Sequence, residues 1–132
     1  MTIRTLPLFK SPKVIDYFDA ESSIVLHCGD TFDFIKTLPE ETAKLIITSP
    51  PYNLGKEYED KTHIEVYLKF QIKIIDQLVR ILRHDGSICW QVGNFVDSSE
   101  VFPLDIFYYD IFKKHGLKLR NRIVWRFNHG LH

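Results

Sequence analysis

The chain has 132 residues, 45% of them hydrophobic and 14% aromatic, so it can bury a core and does not read as disordered. Lys+Arg and Asp+Glu both number 17, which argues against a uniformly basic nucleic-acid coat. The balance conceals a split, because residues 111–132 carry Lys113, Lys114, Lys118, Arg120, Arg122 and Arg126 and no acid, leaving residues 1–110 net acidic. A basic end on an acidic body suits a polyanionic partner, or simply a solvated face. No apolar run approaches the roughly 20 residues of a membrane span. Cys28 and Cys89 sit inside apolar runs and are expected as reduced core residues of a cytoplasmic protein.

Residues 1–22 hold Pro7, Pro12 and several charges, and are expected to form an N-terminal arm, irregular or an edge element. Ser23 to Cys28 is a short apolar run closed by Gly29-Asp30, and reads as a strand. Asp30 can cap a helix over Thr31–Leu38, with Phe32, Ile35 and Leu38 on one face and Pro39 as its stop. Ala43–Thr48 is the second strand, ended by Ser49-Pro50-Pro51-Tyr52-Asn53. Thr62 and Glu65 form a capping-box pattern before a helix from Ile64 to Arg83. Gly86 is placed as the stop of that helix. Ser87–Val92 is a third strand, Pro103–His115 a further helix ended by Gly116, and Leu117–Phe127 a fourth strand. Strands alternating with helices predict an α/β domain with a mainly parallel sheet. Its ligand rim would lie at the strand ends, at Gly29-Asp30, Ser49 to Asn53 and Gly93-Asn94.

Ser49-Pro50-Pro51-Tyr52 carries the clearest chemistry. Two prolines fix φ twice and remove two N–H donors, so the turn is stiff and presents acceptors. Rigid acceptors beside an aromatic face suit a planar ring with an exocyclic amino group. Hydrogen bonds drawn from that nitrogen free its lone pair for attack on an electrophilic methyl group. Alone, the four residues are also compatible with a plain rigid turn.

Thr48-Ser49-Pro50-Pro51-Tyr52-Asn53 resembles the catalytic motif of the amino-group DNA methyltransferases, which act on adenine N6 or cytosine N4. Leu26 to Asp30, Gly55-Lys56 with Tyr58, Ser87 to Asn94, and Arg120 to Asn128 extend the likeness to the permuted, β-type members. The resemblance implies a Rossmann-like S-adenosylmethionine-dependent methyltransferase fold in which residues 43–48 and 87–92 are neighbouring strands. It implies that Ser49, Pro50, Pro51 and Tyr52 hold a base flipped out of double-stranded DNA. Asp30 and Asn53 would face the cofactor, and Lys56, Arg120, Arg122, Arg126 and Asn128 the nucleic acid. The implied setting is a restriction-modification system. No metal is implied, and His129-x-x-His132 lacks the further ligands a metal site needs.

The family also carries a Phe-x-Gly-x-Gly cofactor loop. The six glycines here, at 29, 55, 86, 93, 116 and 130, include no Gly-x-Gly pair. Residues 23–132 are therefore expected to be the catalytic part of a methyltransferase domain, truncated or encoded in two pieces. The cofactor-binding strands would be missing and the chain inactive without a second polypeptide. The competing expectations are a non-catalytic DNA-binding remnant, and a methyltransferase of RNA or protein glutamine.

Overall fold

The computed structural model describes residues 14–55 and 61–126. Its elements, in order, are β1 (Val14–Ile15), β2 (Ile24–Val25), α1 (Thr31–Thr37), β3 (Ala43–Thr48), α2 (Ile64–Ile81), β4 (Leu82–Trp90), β5 (Asn94–Asp97), β6 (Glu100–Pro103) and α3 (Leu104–Lys114). Among the described residues the strands form three two-stranded ladders. β1–β2 and β3–β4 are parallel, and β5–β6 is an antiparallel hairpin. The α/β reading holds, but the described strands form separate ladders rather than one sheet, two of them parallel and one antiparallel. Val14–Ile15, in the N-terminal arm, pairs with β2.

The β3–β4 ladder is the frame of the molecule. Leu45, Ile46, Ile47 and Thr48 face Ser87, Ile88, Cys89 and Trp90, the adjacency expected for these two runs. Alternation turns Ile46 inward, onto a cluster of Ile35, Leu78 and Ile81. Leu45 and Ile47 point the other way and are exposed. Cys89 pairs with Ile47 on that open face, and Cys28 is exposed as well, so neither cysteine is the core residue expected. The larger core lies on the α2 side, where Tyr67, Ile75, Phe95, Leu104, Tyr108 and Ile111 pack together.

Helix ends are settled by local hydrogen bonds. Asp30 accepts from the Asp33 N–H at 3.1 Å, capping α1 as expected. The carbonyls at the other end of α1 take the Arg80 guanidinium, at 2.9 Å on Leu38 and 3.0 Å on Ile35. The capping box of α2 does not form. His63 is the cap residue, without a side-chain bond, and the Thr62 hydroxyl donates to Asn53 Oδ1.

Gly86 is not a helix stop. α2 ends at Ile81, and Leu82 is already extended as the first residue of β4. Gly86 lies inside that strand, beside the register shift between Ala43 and Leu45. A Cβ there would sit 2.9 Å from the Arg83 carbonyl oxygen and 3.0 Å from that of Lys44. At the same crossing the Arg83 guanidinium, and then the Lys44 ammonium, hold the Asp85 carboxyl below the usual carboxylate range.

Leu117–Arg126 is not a strand. An extended run needs a ladder partner, and among the described residues this one has none. Ile123 is 91% exposed and Val124 78%. Phe127, the last residue of the expected strand, lies outside the described residues.

Gly86→Ala is expected to destabilise the protein by about 1–3 kcal/mol, because two backbone carbonyls must yield to the added methyl. Denaturant unfolding monitored by Trp90 fluorescence measures the loss.

Candidate active site

β3 delivers its last residue, Thr48, against Trp90, and the Gln91 N–H extends the ladder by donating to the Thr48 carbonyl at 2.9 Å. The chain then enters Ser49-Pro50-Pro51-Tyr52. The Ser49 and Tyr52 hydroxyls meet at 2.6 Å, which closes the loop on itself. When Ser49 donates, both of its lone pairs stay open to an incoming N–H. Gly93 backs the Tyr52 ring, since a Cβ at Gly93 would come within 3.1 Å of Tyr52 Cδ2.

The carbonyls of this loop have different fates. That of Thr48 is taken by Gln91. That of Pro51 accepts from the Tyr67 hydroxyl at 2.7 Å. Among the described residues, no donor reaches the Pro50 carbonyl. The loop therefore keeps the Ser49 hydroxyl and the Pro50 carbonyl as available acceptors, next to an aromatic ring.

Asn53 follows at φ +62°, in the left-handed region, and is 2% exposed. Its amide clamps Thr62: Nδ2 donates to the Thr62 carbonyl at 2.6 Å, and Oδ1 accepts from the Thr62 N–H at 2.7 Å. Asn tolerates this backbone region better than other non-glycine residues. Asn53, expected beside the cofactor, thus bonds to Thr62 through both atoms of its amide.

The remaining expected site residues are spread out. Asp30 is exposed at the head of α1, where its bond to Asp33 occupies Oδ1. Arg122 is ion-paired with Asp105 of α3. Arg120 and Arg126 are exposed on the segment after α3, alongside the exposed Trp125. Lys56, Asn128, His129 and His132 lie outside the described residues. No group of three or more metal-ligating side chains occurs among the described residues. None of their helices is long and apolar enough to cross a membrane.

Two residues the sequence did not single out belong to the site. Tyr67 of α2 grips Pro51, and Tyr108 of α3 meets the Tyr67 hydroxyl at 2.7 Å. In sequence both read as apolar positions on helix faces.

The family profile described as DNA methylase, of the N6/N4 type, matches residues 43–132. The chain belongs to the DNA methylase family. Type II methyltransferase M.BglII of Bacillus subtilis is 46% identical over 108 residues, covering 81% of this chain and 30% of that protein. Type II methyltransferase M.ScaI of Streptomyces caespitosus is 28% identical over 112 residues, covering 83% and 36%. The chain thus spans about a third of the length of these two DNA methylases. Among solved structures, TTHA0409 of Thermus thermophilus, assigned as a DNA modification methylase, matches with a TM-score of 0.59 at 30% identity. That match covers 74% of this chain and 42% of the other. The cytosine-N4-specific PvuII DNA methyltransferase, 21% identical, shares the fold with a TM-score of 0.51 over 67% of this chain and 31% of its own.

The Asn53 clamp is expected to be separable from its backbone strain. Asn53→Gly keeps the positive φ but leaves the Thr62 N–H unpaired, a loss of about 1–3 kcal/mol. Asn53→Ala adds the left-handed penalty, about 1–2 kcal/mol more. Chemical denaturation of both variants beside the parent orders the three.

Proposed function

We propose that this DNA methylase transfers a methyl group to an exocyclic amino group of a base in double-stranded DNA, at cytosine N4 or adenine N6. The observation that carries the reading is the acceptor pair at the end of β3, the Ser49 hydroxyl and the Pro50 carbonyl beside the Tyr52 ring. The base ring would lie against Tyr52, with its two N–H groups directed at those two oxygens. Bonds in those directions draw the nitrogen lone pair out of ring conjugation. The lone pair then attacks the methyl carbon as the carbon–sulfur bond breaks, and one N–H proton passes to solvent.

S-adenosylmethionine, when bound, supplies the electrophilic methyl group. Asp30 fits that ligand in one respect: its Oδ2 remains an anionic acceptor for an amino group after Oδ1 has capped α1. The Type II names of M.BglII and M.ScaI support a restriction-modification setting. Arg120 and Arg126 would meet phosphates, and Arg122 would do so on leaving Asp105.

Two tests follow. The chain is combined with the segment of M.BglII that lies beyond the match, and incubated with plasmid DNA and tritiated S-adenosylmethionine. Tyr52→Ala should abolish incorporation and Ser49→Ala should reduce it at least tenfold. Nucleoside chromatography then tells N4-methylcytosine from N6-methyladenine. Labelled DNA in the Tyr52→Ala reaction at the parent level would overturn the reading. Separately, Arg126→Ala should lower the slope of log affinity against log salt by about one, whereas Tyr52→Ala leaves that slope unchanged.

A further inference from the structure

We propose that Tyr67 and Tyr108 are positioning residues that set the acceptor geometry of the Ser49–Tyr52 loop through the Pro51 carbonyl. The inference rests on the methyl-transfer reading for its consequence, but the linkage itself is independent of it.

A loop with two consecutive prolines cannot brace itself with its own N–H groups at those positions. A donor must come from elsewhere, and Tyr67 supplies it at 2.7 Å. Tyr67 has one O–H, and a carbonyl can only accept, so that proton points at Pro51. The 2.7 Å contact between the two phenols then has Tyr108 donating to the Tyr67 oxygen. The chain of bonds runs in one direction, from α3 through α2 to the loop. Each bond polarises the next.

The chain is also built to keep its protons. Tyr108 is 2% exposed, and burial first, then its bond with Tyr67, holds its hydroxyl far above the ordinary tyrosine range. Tyr108 therefore keeps its proton to donate. The practical result is a division among the loop carbonyls. Pro51 is locked to α2, which fixes the Pro51–Tyr52 peptide and with it the place of Tyr52 relative to the Pro50 carbonyl. A loss of the Tyr67 donor lets the Pro51 carbonyl seek water and the peptide rotate.

The test has two arms on the 132-residue chain. In the first, tyrosines are labelled with ¹³C at Cζ, and the Tyr52 signal is assigned by its disappearance in Tyr52→Phe. Tyr67→Phe is nearly isosteric and should shift and broaden the Tyr52 signal, because Ser49 and Tyr52 share the loop that Pro51 anchors. Ile111→Val trims the same core without touching a hydroxyl and should leave the signal in place. In the second arm the chain is paired with the M.BglII segment and kinetics are measured. Tyr67→Phe should lower kcat about ten- to hundredfold, the scale of a sub-ångström to 1 Å misplacement, with KM for DNA unchanged. Tyr108→Phe should cost less, and the double variant no more than Tyr67→Phe alone, since Tyr108 acts through Tyr67. A Tyr52 signal in Tyr67→Phe identical to the parent overturns the proposal, as does an unchanged kcat in an active pair. An inactive parent pair counts against the methyl-transfer reading only, because the first arm reads the linkage without turnover.

Discussion

Two adjacent prolines at the end of a strand impose the constraint on which the rest of the structure depends. Residues 50 and 51 have no N–H to give, so local backbone bonds cannot hold the loop. It is held from outside at three points. The ladder grips its start through Gln91 and Thr48, Tyr67 grips the carbonyl of Pro51, and Thr62 grips Asn53 at its end. Two of those holds come from α2 or from the residues just before it. The helix that packs the core is thus also the splint of the candidate site.

The holds have consequences in the elements that provide them. Thr62 holds Asn53 through its backbone N–H and carbonyl, which satisfies a buried amide, and the cap position of α2 falls to His63. Tyr67 and Tyr108 carry hydroxyls into the core, which is tolerable only because each is bonded. The hairpin of β5 and β6 seats Phe95 against the same cluster, and Lys61 ties it back by bonding the Val96 carbonyl at 3.0 Å and Asp97 at 3.1 Å. A rigid frame carrying a chemically active loop is the usual division between scaffold and site.

What the sequence made legible was local. The Asp30 cap, the run Ala43–Thr48, the span of α2 and α3, and the Ser49–Tyr52 turn depend on near neighbours in the chain, and they formed where the residue pattern put them. What it missed needs tertiary partners. The β5–β6 turn puts Ser98 at φ +48° and Ser99 at φ +66°, without the Asn-Gly signal that marks such hairpins. Gly86 looked like a helix stop, because close approach to the Lys44 carbonyl is invisible without β3 beside it. The segment after α3 alternates like a strand, but alternation supplies no ladder partner. Tyr67 and Tyr108 fit a helical apolar stripe, and nothing in that stripe says where their hydroxyls point.

The distribution of donors and acceptors gives the loop a preference of its own. Two of its carbonyls are taken by protein donors, that of Thr48 by the Gln91 N–H and that of Pro51 by the Tyr67 hydroxyl, and the Asn53 amide is bonded to Thr62. The acceptors left over are the Ser49 hydroxyl oxygen and the Pro50 carbonyl. Under the proposed reading, an amino edge, as on adenine or cytosine, finds a partner for each N–H. A keto edge, as on thymine or guanine, would press its lone pairs against one carbonyl that cannot donate and one hydroxyl already closed on Tyr52. Under that reading such groups would stay unpaired against the loop, which disfavours keto bases. Selection of the amino group would then come from the same feature that forces the loop to be held from outside: two prolines that cannot donate.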